Sequence, residues 1–569
     1  MDNQRVFIWL AVAIAAWLNY DVYQRDYGAP ATPAAQVAEA VATAETTHPL
    51  PQPAAPAAAA DAKAADGAPA NPVSPPTGTA EAASEEPAQT VHVRTDVLDV
   101  DLSNRGGEVL RADLLNYPQR KDNPDLKVRL FDATSAAQRF VFQSGLLAAA
   151  GTSAPDAKAR YTVPATEYLL TDGTDTLTIP FTWTANGVTV VKTFTLHRGH
   201  YAVEVRYDIR NDGPAPFTAS LFGELIRHYE PVSRSMWNPE TYAYRGPAFY
   251  SGAKYQKINV EKPADSPLPA TPVQGGWAAA MQHHFVAVFV PKADAPFQYA
   301  FDYSHGEYAF SAVGSPTTVA PGSSGSVDAT LYVGPKLKTE LEAVAPSLTY
   351  TNDYGVYLTL LARPLFWLLS TVHRLVGNWG LAIILSTFII KLLFYKLAET
   401  SGRSMARMRN LQPRMKDLQE RYKDNREELG KHMMELYKKE KINPLLGCLP
   451  MLVQIPVFIA FYWVLLESVE MRQAPFMLWI QDLSSRDPLF ILPAIMGLGM
   501  YAQFKLNPAP PDPMQAKIFA FMPVVMTATM AFFPAGLVLY WITNTGLSIL
   551  QQWRINKLVE AETAHRARH

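Results

Sequence analysis

The chain has 569 residues, of which 48% are hydrophobic, and its formal net charge is −2. A chain of this length exceeds a single hydrophobic core, so two or more domains are expected. The near-neutral total charge gives no indication of direct nucleic-acid binding. One cysteine, Cys448, excludes a framework of disulfides within the chain.

The N-terminus begins with MDNQR and continues into a charge-free apolar run over residues 6–18. This run is shorter than the ~20 residues of a typical membrane span. Its length fits the apolar core of a signal peptide better. No small-residue cleavage site follows it directly, and Trp17, Asn19 and Tyr20 are typical of an interfacial belt. We therefore expect a retained membrane anchor over residues 1–27, with cleavage as the alternative. Whether the run is a retained anchor or a cleaved signal peptide, it directs the next segment across the membrane.

Residues 28–90 consist mostly of Ala, Pro, Thr and Glu and contain no aromatic residue. Such a composition cannot bury a core, which predicts a disordered periplasmic tether. From residue 91 onward apolar residues alternate with polar ones, as in VTVVKTFTL over 188–196. Many such runs predict a large all-β sandwich domain over residues 91–348, closed by a short helix over 339–348.

The next apolar region, residues 354–396, exceeds one membrane thickness and divides in two at GNWG. The first part predicts an amphipathic helix lying in the membrane interface over 354–377. Its polar residues fall on one helical stripe: Thr359, Arg363, Ser370 and Arg374. The second part predicts a true span over residues 378–398, with one internal charge at Lys391.

Residues 399–443 contain apolar residues at helical spacing on both sides of a break at Asp424–Asn425, which predicts a helical hairpin. Methionines are adaptable contact residues. Four of them are candidates for docking client chains: Met405, Met408, Met415 and Met433. The alternative, that this stripe only holds the two helices together, is at least as well supported.

Four further spans are predicted within residues 444–553, the last two separated by a turn at FPAG, residues 533–536. With the anchor they make six, a five-span core plus one. Residues 400–443 carry twelve lysines and arginines, whereas the following loop carries two. The positive-inside rule therefore places the N-terminus, the hairpin and the basic tail over 554–569 in the cytoplasm, and the β domain in the periplasm.

A charge inside a span indicates function by default, and Lys391 is such a charge. The alternative is that it snorkels toward Lys396, roughly 7.5 Å further along the helix. Polar residues on other spans favour a polar groove open to the cytoplasm over hydrogen bonding between helices alone. The candidate groove residues are Lys391, Thr387, Gln454, Tyr540, Trp541, Asn544 and Ser548.

Catalysis finds no support in the sequence. We find no HExxH, CxxC, GxSxG or phosphate-loop motif, and so expect no enzyme activity, no metal and no cofactor. His283 and His284 are adjacent in an expected strand, where neighbouring side chains point to opposite faces, so they are not expected to bind one metal together.

Three long blocks carry a resemblance to a known family. They are NPLLGCLPMLVQIPVFIAFYWVL (443–465), SVEMRQAPFMLWIQDLSSRDPLFILPAIMG (468–497) and DPMQAKIFAFMPVVMTATMAFFPAGLVLYWITNTGLSILQQW (512–553). In this order and spacing they resemble the YidC/Oxa/Alb family of membrane insertases, over roughly residues 354–553. The anchor, tether and β domain look like the Gram-negative form, whose β domain is similar to mutarotase-type super-sandwiches.

The resemblance implies a membrane chaperone that inserts and helps fold inner-membrane proteins through a hydrophilic groove open to cytoplasm and lipid. The groove's positive charge corresponds to Lys391 in STFIIKLLFY, where the Gram-negative pattern has Arg. Lysine keeps the charge but lacks the planar fork of arginine, so a simple electrostatic role is expected. The implied partners are nascent inner-membrane proteins, the lipid bilayer and the Sec translocon. The resemblance does not decide whether the ribosome is also a partner.

Two other classes of function are alternatives to an insertase. A transporter of a small anionic or lipid substrate would use Lys391 as its binding charge, but the spans show no inverted repeat. A membrane-anchored periplasmic carbohydrate enzyme would place its activity in residues 91–340 and leave the basic hairpin unexplained.

Overall fold

The computed structural model describes residue 50 and residues 88–568, apart from 149–151, 232, 234–240, 242, 353, 355–357, 423–424, 441–443 and 507–512. The predicted anchor over residues 1–27 and nearly all of the predicted tether over 28–90 lie outside the described residues.

The described residues from Thr90 to Pro335 include eighteen strands, in agreement with the predicted all-β domain. In chain order they are β1 (Thr90–Arg94), β2 (Leu98–Ser103), β3 (Val109–Arg120), β4 (Asn123–Asp132), β5 (Phe140–Ala148), β6 (Glu167–Leu169), β7 (Thr176–Ala185), β8 (Val188–His197), β9 (Ala202–Asn211), β10 (Phe217–His228), β11 (Gly246–Tyr250), β12 (Tyr255–Lys257), β13 (Trp277–Met281), β14 (Phe285–Pro291), β15 (Phe297–Ser304), β16 (Glu307–Gly314), β17 (Thr317–Val319) and β18 (Ser323–Pro335).

These strands form two sheets. The ten-stranded sheet has the order β15-β16-β10-β5-β4-β3-β2-β1-β6, with β17 also paired to β10, and the eight-stranded sheet has the order β12-β11-β13-β14-β18-β9-β8-β7. Large side chains from both sheets, such as Phe142 and Phe289, meet in one continuous core. The described pairings are antiparallel except for β1 with β6.

Strict alternation along β8 also places a lysine in this core. Val190, Lys192 and Phe194 all point inward and are fully buried. The ammonium group of Lys192 donates hydrogen bonds to the carbonyls of Gly106, Gly107 and Ser144 at 2.9, 3.0 and 2.9 Å. Burial lowers the pKa of Lys192 well below its usual value. Its polar contacts offset part of the cost of that burial.

Helices follow the β domain. They are α1 (Lys338–Val344), α2 (Thr359–Val376), α3 (Trp379–Leu393), α4 (Tyr395–Asn410), α5 (Gln412–Arg421), α6 (Arg426–Lys439), α7 (Pro444–Glu467), α8 (Ile491–Leu506), α9 (Pro513–Met530) and α10 (Ala535–Arg568). The short closing helix predicted over 339–348 corresponds to α1 and a following 3₁₀ turn over Pro346–Thr351. The segment predicted as an interfacial helix corresponds to α2.

The region predicted as one span over residues 378–398 is divided in the structure. Helix α3 ends at Leu393, and α4 continues at a bend of 69°. Among the described residues no single helix meets both the length and the hydropathy expected of a membrane crossing, although the bent pair α3–α4 meets them together. The count of six spans stays a prediction.

The C-terminal end differs from the expected arrangement of a span followed by a separate basic tail. Helix α10 continues without a break from Ala535 to Arg568. Beyond the expected end of the span, Ile555 and Val559 pack against Ala406 of α4. An apolar partner of this kind stabilises a helix that exposed residues alone would not sustain.

Candidate functional site

A cavity of about 70 Å³ lies between α3, α4, α7 and α10. Its apolar walls come from residues on both sides of the α3–α4 bend and from two valines of α7. Five of the seven predicted groove residues line it: Thr387, Lys391, Gln454, Tyr540 and Asn544. The structure therefore brings together polar side chains that are up to 157 residues apart in the chain.

Helix geometry explains why α3 contributes two of these residues. Thr387 and Lys391 are four positions apart and so share one face. The Thr387 hydroxyl is buried and donates to the Ile383 carbonyl at 2.7 Å, which leaves Lys391 as the polar group that α3 extends toward α10. Its ammonium group donates to the Ser548 hydroxyl at 2.8 Å.

Helix α10 presents its polar residues at the same four-residue interval, as Tyr540, Asn544 and Ser548. The Gln454 side-chain amide of α7 donates to the Asn544 side-chain oxygen at 2.5 Å. The Tyr540 ring stacks on Phe461 with centroids 4.6 Å apart, which fixes its position beside the cavity. One hydrogen bond and one aromatic contact thus join α7 to α10 beside the cavity.

The two remaining predicted residues lie elsewhere. Ser548 does not line the cavity but contacts Lys391, as described above. Trp541 does not line the cavity and packs edge-on against Phe458, with ring centroids 4.8 Å apart and an interplanar angle of 85°. A position directly after Tyr540 on a helix is rotated by about 100°, so the two side chains point in different directions although both rings contact Phe458.

Among the described residues no carboxylate lies within ion-pair distance of Lys391. Lys396, only five residues away, has its side chain 93% exposed and lies 3.7 Å from Glu399. The two lysines therefore differ sharply. Lys391 extends into a partly apolar cavity with a neutral acceptor, whereas Lys396 is solvated and paired.

Sequence reasoning missed the apolar part of this site. Phe394, Leu397 and Ala398 reach the cavity only because the chain bends between α3 and α4. The sequence there, LLFYKLAE, contains neither glycine nor proline, so no local signal marked the bend.

The predicted client-docking methionines divide into two groups. Met415 is buried and packs with Leu411, Met433 and Tyr437, so it holds α5 and α6 together. Met405 and Met408 are half-buried on α4, before the α5–α6 hairpin. Met434, which was not among the candidates, is 61% exposed. A docking role for these side chains stays a prediction, and for Met415 and Met433 the packing role is the one visible in the contacts.

The expectation that His283 and His284 point to opposite faces is wrong. They lie in the turn between β13 and β14 rather than in a strand, and their rings stack with centroids 3.8 Å apart. Both are buried. Burial lowers the pKa of His283 to about 3 and that of His284 well below its usual value. Among the described residues no group of three or more metal-ligating side chains occurs.

This histidine pair belongs to a contact between the β domain and the helical region. The His283 Nε2 lies 3.0 Å from the Leu466 carbonyl, near the end of α7. In the following α7–α8 loop (residues 468–490), the Arg472 guanidinium donates to the Pro118 carbonyl at 2.8 Å. Lys121 donates to the Gln481 carbonyl at 2.5 Å. The sequence had no signal for this junction, because its partners are about 180 to 360 residues apart.

Comparison with known proteins decides the family. The model of the 60Kd inner membrane protein family matches residues 371–562, and that of the YidC periplasmic domain matches residues 90–368. The membrane protein insertase YidC of Stutzerimonas stutzeri is 44% identical over 567 residues, covering 99% of both chains. The chain belongs to the YidC family. The YidC of Thioalkalivibrio sulfidiphilus is 43% identical and covers 98% of this chain and 99% of its own.

YidC membership confirms the resemblance inferred from the three sequence blocks. It also makes the chain a bacterial inner-membrane protein with a periplasmic domain. Among solved structures, an active YidC insertase with its first transmembrane domain resolved covers 82% of this chain and 94% of its own, at 18% identity and a TM-score of 0.37. A putative aldose 1-epimerase from Escherichia coli covers 43% of this chain at 12% identity and a TM-score of 0.25.

Proposed function

We propose that this chain inserts inner-membrane proteins into the bilayer and helps them fold, using the cavity between α3, α7 and α10 as a hydrophilic groove. One observation carries the proposal: the Lys391 ammonium group extends into a partly apolar cavity and bonds a neutral hydroxyl, with no carboxylate partner among the described residues. The relatives are named as insertases, which supports the same function.

A positive charge in this setting attracts an acidic or polar residue of an incoming chain. The attraction exceeds that in bulk water, because the surrounding apolar groups lower the effective dielectric, yet desolvation limits it to a few kcal/mol. Gln454 and Asn544 add hydrogen-bonding groups for polar segments that hydrocarbon would reject. The groove therefore lowers the cost of moving a polar tail through the apolar layer.

The driving force would come from the client itself. Apolar side chains on the outer face of α3, such as Phe388 and Leu392, are exposed and offer a path toward lipid. Each Leu, Ile, Phe or Val of the client gains about 0.3–0.6 kcal/mol by partitioning there. No nucleotide or other cofactor is required by this scheme.

We further place the α5–α6 hairpin and the end of α10 in the cytoplasm, because both carry basic residues, and the α7–α8 loop in the periplasm with the β domain. This topology includes six spans, with the N-terminus cytoplasmic. Nascent inner-membrane proteins are the proposed clients. The chain would act alone or beside the Sec translocon, and ribosomes are a further candidate partner.

The test is insertion of a single-span client with an acidic translocated tail into proteoliposomes. We expect Lys391→Arg to retain insertion, Lys391→Ala to reduce it about tenfold, which corresponds to about 1.4 kcal/mol, and Lys391→Glu to abolish it. Lys396→Glu is the matched control, since it makes the same charge change five residues away on an exposed side chain.

Full insertion by Lys391→Glu would show that the lysine only reaches toward lipid headgroups and that the charged-groove mechanism is wrong. Equal loss in Lys396→Glu would indicate an effect of total charge near the membrane surface. Absence of insertion by the unaltered protein would favour the alternative function, transport of a small anionic or lipid substrate.

A further inference from the structure

A cavity of about 450 Å³ lies where the β domain meets α2. Its lining comes from the β11–β12 turn, the segment before β13, the 3₁₀ turn over Pro346–Thr351 and the first half of α2. We call it the α2 pocket. Its volume falls within the roughly 300–1,000 Å³ of typical binding sites. It shares no lining residue with the proposed groove, and the insertion mechanism does not use it.

The α2 pocket contains one charged side chain among the residues that the structure describes, that of Arg363. Its guanidinium group lies over the Tyr350 ring, 5.4 Å from the ring centroid. Within the described part of the chain, Arg363 forms no ion pair and donates to no acceptor. A guanidinium group carries several N–H donors in one plane. The pocket therefore presents a positive charge with unused donors, and no carboxylate of its described lining competes for them.

A stack of aromatic rings supports this cation. Tyr350 stacks on Tyr250, with ring centroids 5.7 Å apart, and on Tyr255 at 6.2 Å. Tyr250 stacks in turn on the fully buried Trp277 at 5.8 Å. An arginine over an aromatic face keeps the edges of its planar group available for hydrogen bonds. Arg363 is thus held in position before any ligand binds.

Ser347 adds a neutral donor to the same pocket. Its hydroxyl accepts a hydrogen bond from the Trp277 indole N–H at 3.0 Å. A hydroxyl that accepts in this way keeps its own proton for another acceptor, and no such acceptor occurs among the described residues. A cationic and a neutral donor in one pocket suit an oxyanion such as a phosphate group, which accepts several hydrogen bonds.

The exposed face of α2 indicates the source of this phosphate. Leu360 and Trp367 lie three residues before and four residues after Arg363, so they share its side of the helix. Their side chains are 81% and 59% exposed. The helix sequence, TLLARPLFWLLSTVHRLV, contains no acidic residue. Exposed Leu and Trp beside a basic residue are typical of a helix in the lipid headgroup layer. A soluble anion would leave this apolar surface uncovered, whereas the acyl chains of a phospholipid would cover it.

We propose that the α2 pocket binds the phosphodiester headgroup of an anionic phospholipid, with Arg363 as the main contact and the acyl chains along Leu360 and Trp367. A headgroup that also carries an ammonium group would find no carboxylate in the described lining, which favours an anionic headgroup such as phosphatidylglycerol. The lipid would belong to the periplasmic leaflet, since the β domain is periplasmic.

The inference rests on the proposed position of α2 in the membrane interface and not on the insertion of clients. A lipid bound in the α2 pocket contacts both the β domain and α2. It would therefore tie the β domain to the bilayer surface.

Photocrosslinking to lipid tests the inference with the full-length protein and needs no client. A photocrosslinking amino acid replaces Thr349 in the pocket or, as a control, Thr184, which is exposed on β7 at the sheet edge opposite β12. The protein is reconstituted into phosphatidylcholine vesicles that contain an increasing fraction of radiolabelled phosphatidylglycerol. The label attached to the protein after illumination, followed against that fraction, gives the apparent affinity.

We expect saturable labelling at Thr349 and little labelling at Thr184. Arg363→Gln should lower the apparent affinity about tenfold, and Arg363→Lys should lower it less, because the charge remains. Arg374→Gln is the matched control. It removes the same charge from the same helix, but this guanidinium donates to the Thr371 hydroxyl at 3.3 Å and does not line the pocket, so the affinity should change much less.

Equal losses in Arg363→Gln and Arg374→Gln would indicate a general attraction between a basic helix and an anionic surface, and would overturn the proposal. Tyr350 is a positioning residue in this site. Tyr350→Leu should weaken labelling severalfold, whereas Tyr350→Phe should retain it, since only the ring supports the guanidinium. Equal loss in both Tyr350 variants would contradict that role.

Soluble glycerol phosphate distinguishes a lipid from a free phosphate as the ligand. An excess of it should leave the labelling by phosphatidylglycerol unchanged, because it lacks the acyl chains. Effective competition would show a site for a soluble phosphate, and equal labelling by radiolabelled phosphatidylcholine would show that the headgroup is not recognised. Either result would overturn the inference and leave the insertase function standing, since insertion by the unaltered protein is measured separately.

Discussion

The Lys391 ammonium group and the Ser548 hydroxyl form a hydrogen bond of 2.8 Å that joins α3 to α10. The same hydroxyl donates to the Asn544 carbonyl at 2.7 Å, so its lone pair faces the lysine. Ser548 is therefore a positioning residue. It holds a flexible four-carbon side chain toward the cavity without neutralising its charge.

We predict that Ser548→Ala lowers insertion severalfold but less than Lys391→Ala, because the charge remains while its position is lost. Thr543→Ala is the control, since this hydroxyl on the same helix also bonds back to a main-chain carbonyl, at 2.8 Å from Leu539, and does not contact Lys391. Initial insertion rates in proteoliposomes provide the measurement. An unchanged rate for Ser548→Ala would show that Lys391 needs no such support.

A second prediction concerns the close approach of α3 to the α7–α8 loop. A Cβ atom at Gly380 would lie 2.0 Å from the Phe476 ring, which cannot move freely because the Phe476 carbonyl accepts from Asn378 at 2.9 Å. Gly380→Ala should therefore destabilise the protein by about 1–3 kcal/mol. Thermal unfolding in detergent measures the effect.

The matched control is Gly546→Ala on α10, where a Cβ would meet nothing within 4 Å. Alanine favours helix over glycine by up to about 1 kcal/mol, so this variant should be neutral or slightly more stable. Combining Gly380→Ala with Phe476→Ala should recover part of the loss. Equal stability of the two single glycine variants would mean that the loop moves away from α3 at little cost.

A third prediction concerns Lys192. Lys192→Ala removes the donor that three buried carbonyls share and opens a cavity, so it should cost about 3–5 kcal/mol. Lys192→Met fills the volume and should cost less. Lys292→Ala, whose exposed partner Asp328 lies 3.7 Å away, should cost at most about 1 kcal/mol. Pulse proteolysis in urea distinguishes the three, and a Lys192→Ala variant as stable as Lys292→Ala would contradict the assignment.

The fourth prediction is a pH dependence of the junction. The folded-state pKa of His283, about 3, lies below its usual value of 6.5, so the unfolded chain binds a proton that the folded chain does not. This histidine therefore contributes stability above pH 6.5, and the contribution falls between pH 6.5 and about 3, by about 1.4 kcal/mol per pH unit. The lowered pKa of His284 likewise makes the folded protein less stable as the pH falls.

Glu470 in the α7–α8 loop has the opposite effect on how the stability of the junction depends on pH. Burial raises its pKa from 4.5 to about 7, so the stability linked to Glu470 is lost as the pH rises through that range. The surrounding Lys336, Arg472 and Glu467 also face the histidines. Below pH 6.5 the stability lost through the two histidines exceeds the stability gained through the Glu470 carboxyl group. The junction should therefore loosen on acidification.

Hydrogen exchange of residues 468–490 between pH 7.5 and 5, corrected for intrinsic rates, measures this loosening. His283→Gln/His284→Gln should reverse the dependence, because the opposite dependence of Glu470 remains, and Glu470→Gln should steepen it. Protection that is independent of pH in the unaltered protein would show that protonation of this pair is not linked to docking.

Local patterns predicted much of this molecule. Alternation identified the β domain, whereas the burial of Lys192 on the inner face of β8 was not predicted, although the alternation of that strand is consistent with it. Four-residue spacing likewise put Tyr540, Asn544 and Ser548 on one face of α10. Trp541, one position further along, does not line the cavity and packs edge-on against Phe458.

By itself, the sequence determined the family, the division into a β domain and a helical region, and the polar residues that meet around Lys391. These depend on periodicity and on long contiguous blocks, which are properties of the chain read in order. Only the tertiary structure decided the bend after Leu393, the stacking of His283 on His284 and the docking of Arg472 on the β domain. Each depends on contacts between segments far apart in the chain, where packing overrides local preference.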